Sequence, residues 1–282
     1  MTGQILSGRE LATAIRAEVT AQAAELAAAG RQPRLAVVTA TADEASGWYV
    51  RTIANAAGKV GIACDVVDLG SHASTGAITG ELTRLSAEDR IAGIILQTPL
   101  PGGAPLAALA GAIASAKDID GANPRSLGRL AAGLPAFAPA TAEAVVTLLE
   151  HYRVPLAGRR AVVIGRSTVV GKPVAHLLLD RHATVTVCHS RTLDLAEVTA
   201  TADVLVAAAG RPGLIGPAQV RPGAVVVDVG ANPTADGGLA GDVDPAVAQV
   251  AAGLTPVPGG IGPVTTALLL RHTVRAAASV AG

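Results

Sequence analysis

The segment Ala161-Val-Val-Ile-Gly-Arg-Ser-Thr-Val-Val-Gly-Lys-Pro173 decides the reading of this chain, because an apolar run ends in a glycine turn that opens directly into a helical pattern. Glycine admits the main chain close to phosphate oxygens, and the first turn of the following helix presents unpaired N–H groups with a partial positive charge. The segment therefore predicts a nucleotide cradle. Its spacing, Gly165-x5-Gly171, departs from G-x-G-x-x-G, so the flanking strands have to carry part of the assignment.

With 282 residues the chain is long enough for two domains of ordinary size, each with its own core. Ala, Val and Leu supply most of the apolar residues, and there are only one Phe, one Trp and two Tyr, so the cores are built from small aliphatics. A formal net charge of zero removes any broad electrostatic case for nucleic acid or an anionic membrane and points to a small-molecule partner. Cys64 and Cys188 end apolar strand-like runs and form no CxxC or Cys/His cluster, so they read as reduced, buried thiols with no metal site. Ser7-Gly-Arg-Glu10 reads as a capping box starting a helix rather than as part of a leader, and a cytoplasmic location is expected. Pro and Gly clusters interrupt the uncharged stretches 91–116 and 247–270, so neither is placed in a bilayer.

Outward from the glycine loop, the pattern is α/β. Before it, helices over 8–29, 46–60 and 75–85 alternate with strands over 35–38, 65–69 and 93–96, until Thr98-Pro-Leu-Pro-Gly-Gly103 breaks the rhythm. After Pro139 a second series places strands over 161–164, 184–188, 204–207 and 224–228, as a doubly wound, Rossmann-like sheet requires. The Gly/Pro-dense Thr255-Pro-Val-Pro-Gly-Gly-Ile-Gly-Pro-Val-Thr-Thr266 then reads as a pocket wall leading into a helix that runs to about residue 280.

The end of the second strand selects the dinucleotide. NAD-specific sheets place a carboxylate there for the ribose hydroxyl, whereas Cys188-His-Ser-Arg-Thr192 has none. Ser190 and Arg191, with Arg166 from the glycine loop, suit the extra phosphate of NADP.

Four segments, Ile95-Leu-Gln-Thr-Pro-Leu-Pro101, Lys117-Asp-Ile-Asp-Gly121, Gly165-Arg-Ser-Thr-Val-Val-Gly-Lys-Pro173 and Thr255-Pro-Val-Pro-Gly-Gly-Ile-Gly-Pro263, together resemble the methylenetetrahydrofolate dehydrogenase/methenyltetrahydrofolate cyclohydrolase family. The resemblance spans nearly the whole chain in order. It implies a folate-binding catalytic domain over 1–139, a Rossmann-like NADP domain over 140–266, an active-site cleft between them, a carboxy-terminal helix over about 267–282 returning to the first domain, and a homodimer. By motif match, Asp120 anchors the pterin of a tetrahydrofolate derivative, Tyr49 lies against its aromatic body, and Gln97 is a polar residue beside the reacting carbons. Pro99, Pro258, Gly259 and Gly260 join the substrate wall. Gly165, Arg166, Ser167, Gly171, Ser190, Arg191, Gly210, Ala231 and Thr265 are implied cofactor contacts.

One departure bears on mechanism. In the bifunctional members a lysine follows the tyrosine by four residues and supports the hydrolytic step, and here Ile53 stands in that place. At about 100° per residue, Arg51 lies roughly 160° and Lys59 roughly 120° around the helix from it, so neither shares its face. The expectation is NADP-linked oxidation with the cyclohydrolase step lost or much weakened. Ala122-Asn-Pro after Asp120-Gly, Gly230-Ala-Asn232, and Pro139-Ala-Thr-Ala142 also depart from the family pattern. The residues themselves leave open a fully bifunctional enzyme, a non-catalytic homologue and a paralogue with an altered substrate, whereas an enzyme like shikimate or amino-acid dehydrogenases would need a catalytic lysine with an aspartate, and no lysine is suitably placed.

Overall fold

The computed structural model describes residues 3–235 and 237–279. The chain opens with strand β1 (Gln4–Ile5) and helix α1 (Arg9–Ala28), where the Ser7 hydroxyl accepts from the Arg9 N–H at 3.4 Å. Two compact units follow, one made of Thr13–Ala140 with the residues from Thr266 on, the other of the residues up to Ala12 with Thr141–Thr265.

The first unit holds strands β2 (Arg34–Thr39), β3 (Ala63–Asp68) and β4 (Gly93–Leu96) in the parallel order β3-β2-β4. Helices α2 (Glu44–Lys59) and α3 (Thr75–Ala87) are the crossovers, followed by α4 (Leu106–Ala110) and α5 (Pro124–Ala131). Central β2 and β4 are continuous apolar runs buried along their length, as strands covered on both faces must be. Edge strand β3 is only half-buried, and that corrects the reading of Cys64: its thiol is part-exposed, while Cys188 is buried. Partial burial still pushes the Cys64 thiol up to about 11, aided by the Asp65 charge. Helix α2 starts at Asp43, whose carboxylate accepts from the Ser46 N–H at 2.8 Å. The Ser46 hydroxyl lies 2.7 Å from the same carboxylate and 3.0 Å from the Thr98 carbonyl, so it ties the head of α2 to the loop after β4.

In the second unit, helix α6 (Ala140–His151) leads into β5 (Arg160–Ile164), α7 (Gly171–Leu179), β6 (Thr184–Cys188), α8 (Leu195–Thr199), β7 (Val204–Ala207) and β8 (Val225–Asp228). A short antiparallel hairpin, β9 (Asn232–Pro233) and β10 (Leu239–Ala240), precedes β11 (Gly253–Leu254), and the carboxy-terminal helix α9 (Ile261–Ser279) begins in this unit and from Thr266 on belongs to the first. The six-stranded sheet runs β1-β11-β8-β7-β5-β6, all parallel. Its core is the small aliphatic set expected, centred on Val162, Leu205, Ile215 and Val226.

This order shifts one boundary. Gln4 and Ile5 register with Gly253 and Leu254, so the first residues belong to the nucleotide unit and not to the 1–139 domain read from the sequence. A two-residue strand carries no periodicity, which is why it was not legible. The expected helix end at 280–282 lies outside the described residues. Among the described residues no helix is long and apolar enough to cross a membrane.

Candidate active site

Strand β5 has β6 on one side and β7 on the other, so chain order reverses there and the loops after β5 and β7 flank a switch point, where doubly wound sheets take ligands. Gly165 has φ +125°, and a side chain there would run into the Ala208 carbonyl. Gly171, the first residue of nine-residue α7, has its Cα against the Gly165 carbonyl, leaving no room for a Cβ. Both glycines are therefore required by the backbone's own close approach. The Ser167 hydroxyl accepts from the Val170 N–H at 3.1 Å and the Gly171 N–H at 3.4 Å, closing the loop onto the head of α7. Arg166 and Ser167 are exposed on its outer side.

After β6, the Thr192 hydroxyl accepts from the His189 N–H at 2.8 Å, and His189 Nδ1 accepts from the Arg191 N–H at 3.2 Å. This turn leaves Ser190 and Arg191 exposed. Arg166 and Arg191 form no ion pair among the described residues, so both guanidinium groups are available to an anion.

Beyond β7 and β8 the loops are organised by two buried aspartates. Asp242, fully buried, accepts N–H bonds from Ala209, Gly210 and Arg211 at 2.6, 2.9 and 2.8 Å, and from the Asn232 amide at 2.9 Å. Asp228 accepts from Gly230, Asp242 and Val243 N–H groups at 2.9, 2.9 and 3.0 Å. Burial, the largest effect, pushes the Asp228 carboxyl upward against these bonds. The Gly210 N–H is thus committed to Asp242, which leaves only its carbonyl and Cα for a cofactor. Ala231 is exposed beside Asn232, whereas Thr265 is buried and its hydroxyl donates to the Ile261 carbonyl within α9 at 3.2 Å. A glycine turn that opens into the head of α7 at the switch point, with two arginines that form no ion pair among the described residues, fits a phosphorylated dinucleotide.

The Pro258-Gly259-Gly260 wall belongs to the same unit. Gly259 has φ +110° and lies beside the Arg9 side chain, Gly8 donates to the Gly259 carbonyl at 2.9 Å, and Gly8 itself has no room for a Cβ because of the Gly260 carbonyl. The amino-terminal segment therefore braces this wall, a contact that no local sequence signal announces.

In the other unit, Tyr49 sits half-buried on α2 and hydrogen-bonds with the Thr266 hydroxyl. Burial first and the Asp120 charge second push its phenol up to about 12, so it is a neutral phenol at ordinary pH. Asp120 is half-buried in a turn built by Asp118, whose fully buried carboxylate accepts from the Ala122 and Asn123 N–H groups at 3.0 and 2.9 Å. Asn123 in turn caps α5, accepting from the Arg125 N–H at 2.7 Å. Burial, then the Asp118 charge, push the Asp120 carboxyl up to about 7, opposed by His272 and by a bond from the Ala140 N–H. Gln97 is half-buried at the end of β4, its amide donating to the Thr98 carbonyl at 2.7 Å, and Pro99 is exposed beside it.

Ile53 is one turn beyond Tyr49 on the buried face of α2 and is 0% exposed. The sequence placed it on the Tyr49 face in the family lysine's position, and in the structure it is a core residue. The sequence also passed over His272, a lone histidine on a Leu-rich helix, and Asp118, which sits in a quoted motif beside the aspartate that drew attention. Thr266, Asp228 and Asp242 gave no signal separable from turn or helix chemistry.

The fold and these two sets of residues define a dinucleotide-binding α/β protein with a second, acid-containing polar cluster. Residues 6–120 match the tetrahydrofolate dehydrogenase/cyclohydrolase catalytic domain and residues 139–281 match the NAD(P)-binding domain of the same family. The chain belongs to the tetrahydrofolate dehydrogenase/cyclohydrolase family. Bifunctional protein FolD 1 of Saccharopolyspora erythraea is 65% identical over 273 residues, covering 96% of this chain and 93% of that protein. Among solved structures, the bifunctional FolD methylenetetrahydrofolate dehydrogenase/cyclohydrolase of Campylobacter jejuni has a TM-score of 0.95 at 37% identity, over 98% of this chain and 99% of its own. The Trypanosoma brucei methylenetetrahydrofolate dehydrogenase-cyclohydrolase, solved with NADP cofactor and an inhibitor, has a TM-score of 0.94 at 37% identity, over 99% of each chain.

Proposed function

We propose that this chain oxidises 5,10-methylenetetrahydrofolate to 5,10-methenyltetrahydrofolate with NADP+, and that its hydrolysis of the product to 10-formyltetrahydrofolate is lost or much weakened. The observation that carries the second clause is Ile53, apolar and wholly enclosed where the resemblance puts a lysine in bifunctional members. NADP, when bound, supplies the hydride acceptor. Gly165 and Gly171 would admit the main chain to its diphosphate, and Arg166, Ser190 and Arg191 would hold the 2′-phosphate through charge-assisted hydrogen bonds.

On the folate side, ionised Asp120 accepts from the N–H edge of the pterin, Tyr49 lies against the aromatic body, and Gln97 and Pro99 border the reacting carbons. Removing hydride from the carbon between two nitrogens is driven by their lone pairs and moves no proton, so orientation is sufficient. Adding water to the methenyl cation requires a proton acceptor, which typically contributes about 10²- to 10⁴-fold. Isoleucine offers none, and Tyr49, with its phenol held near 12, is already protonated.

A second reading, full bifunctionality, is favoured by the Saccharopolyspora relative, which is called bifunctional at 65% identity. Mixing the protein with methenyltetrahydrofolate separates the two: hydrolysis at the buffer rate supports the first, and hydrolysis well above it selects the second. No NADPH formation from methylenetetrahydrofolate and NADP+ would remove both. The cytoplasmic location and the homodimer expected from the sequence are kept in either reading.

A further inference from the structure

His272 is wholly buried on α9, and its Nδ1 lies 2.7 Å from the carbonyl oxygen of Ile119, 153 residues away in the chain. A carbonyl only accepts, so Nδ1 is the donor of this bond. The Ile119 carbonyl belongs to the planar peptide unit that leads into Asp120. Holding it fixes the direction from which the Asp120 side chain departs.

The ring and the turn are held by one further segment. Phe137 packs against the imidazole with centroids 5.0 Å apart and a 40° tilt, and the Arg275 guanidinium lies 5.8 Å from the Phe137 ring centre. Gly121, at φ +64°, is closed over by Pro139 N, Ala138 C and Phe137 O, which a Cβ would meet at 2.5, 2.6 and 2.7 Å. The ionisable groups that face Asp120 are Asp118 from its own turn, Tyr49 from α2 and His272 from α9. Residues 137–140, Phe-Ala-Pro-Ala, contribute only a backbone N–H. Burial pushes both carboxyls upward, and the Asp118 charge adds to the effect on Asp120.

We infer that His272 is the positioning residue for Asp120: its imidazole holds the Ile119–Asp120 peptide in place and so sets where the Asp120 carboxyl stands. The inference rests on reading Asp120 as the pterin anchor. The test is the titration of the Asp120 carboxyl, followed by NMR of protein carrying ¹³C-labelled aspartate, with the resonance assigned by Asp120→Asn. Compared with the parent, His272→Leu, which releases the Ile119 carbonyl, should move its midpoint by about one pH unit, and His272→Asn should leave it near the parent's. In turnover, His272→Leu should raise KM for methylenetetrahydrofolate roughly tenfold with KM for NADP unchanged, and His272→Asn, which keeps a donor for Ile119, should recover most of that loss. A midpoint unmoved in His272→Leu, or in His272→Ala where the leucine variant does not fold, overturns the inference, as does a KM for methylenetetrahydrofolate that His272→Asn fails to recover. A moved midpoint in a protein without turnover supports the role of His272 and counts against the proposed function alone.

Discussion

Asp242 holds Gly210 by its backbone: the buried carboxylate accepts the Gly210 N–H at 2.9 Å and those of Ala209 and Arg211 at 2.6 and 2.8 Å. One buried carboxyl beside the switch-point loop thus keeps three consecutive N–H groups turned inward.

Asp242→Asn replaces one acceptor oxygen by an NH₂ group that faces N–H donors, and each stranded buried donor costs about 1–3 kcal/mol. We expect a lower melting temperature and a KM for NADP raised roughly tenfold, with KM for methylenetetrahydrofolate within a factor of about two. Steady-state kinetics with each substrate varied in turn checks this. Equal increases in both constants would count against a role confined to the nucleotide loop.

Arg191 carries the discrimination for the extra phosphate in the proposed function. Hydrogen bonds to charged groups contribute about 1.5–3 kcal/mol, so Arg191→Ala should lower the preference for NADP over NAD by about tenfold or more. The ratio of kcat/KM for the two cofactors measures it, and an unchanged ratio would move the 2′-phosphate away from the β6 turn.

Asp120 gives two pH effects of opposite sense. Its carboxyl is raised from 3.8 to about 7, and the protonated form cannot accept from the pterin, so kcat/KM for methylenetetrahydrofolate should fall as pH drops through about 7. For stability, the folded value lies above the unfolded one. The folded state therefore keeps a proton that the unfolded chain releases; this contribution is complete below 3.8 and is lost as pH rises through about 7. Asp120→Asn should accordingly melt higher than the parent at a pH of about 8, with the advantage shrinking toward a pH of about 4. Thermal melts at the two extremes decide it.

Ile53→Lys tests the position itself. Since Ile53 is 0% exposed, an ammonium introduced there loses its hydration, a cost of several kcal/mol, and the melting temperature should fall sharply. Folded molecules should hydrolyse methenyltetrahydrofolate faster than the parent. A well-folded variant with the parental rate would mean that Ala122, Asn123 or Ala231 also limits the step.

Strands β5, β7 and β8 and helix α2 were legible because long apolar runs and period-3.6 patterns mark buried parallel strands and their crossovers. Gly165 and Gly171 stood out in the sequence as points where a backbone nears phosphate oxygens, and what leaves no room for a Cβ at either is the chain's own carbonyls, of Ala208 and of Gly165. Strands β1 and β11 were not legible, because two residues have no period, and β1 takes its pairing from β11 about 250 positions away while β11 lies between β1 and β8. Long-range contact also hid His272, whose place beside Ile119 depends on α9 packing in the same unit as the Asp120 turn. Ile53 was read correctly as sharing the Tyr49 face but not as sealed from solvent, because a face does not reveal what covers it.

The most direct test of the account is a single progress curve with methylenetetrahydrofolate and NADP+, following NADPH, the methenyl cation and 10-formyltetrahydrofolate together. The account predicts NADPH and methenyl cation rising in step, with formyl product appearing only at the rate of uncatalysed hydrolysis. NADPH accompanied by formyl product at an enzyme-dependent rate, with no accumulation of the cation, would contradict it.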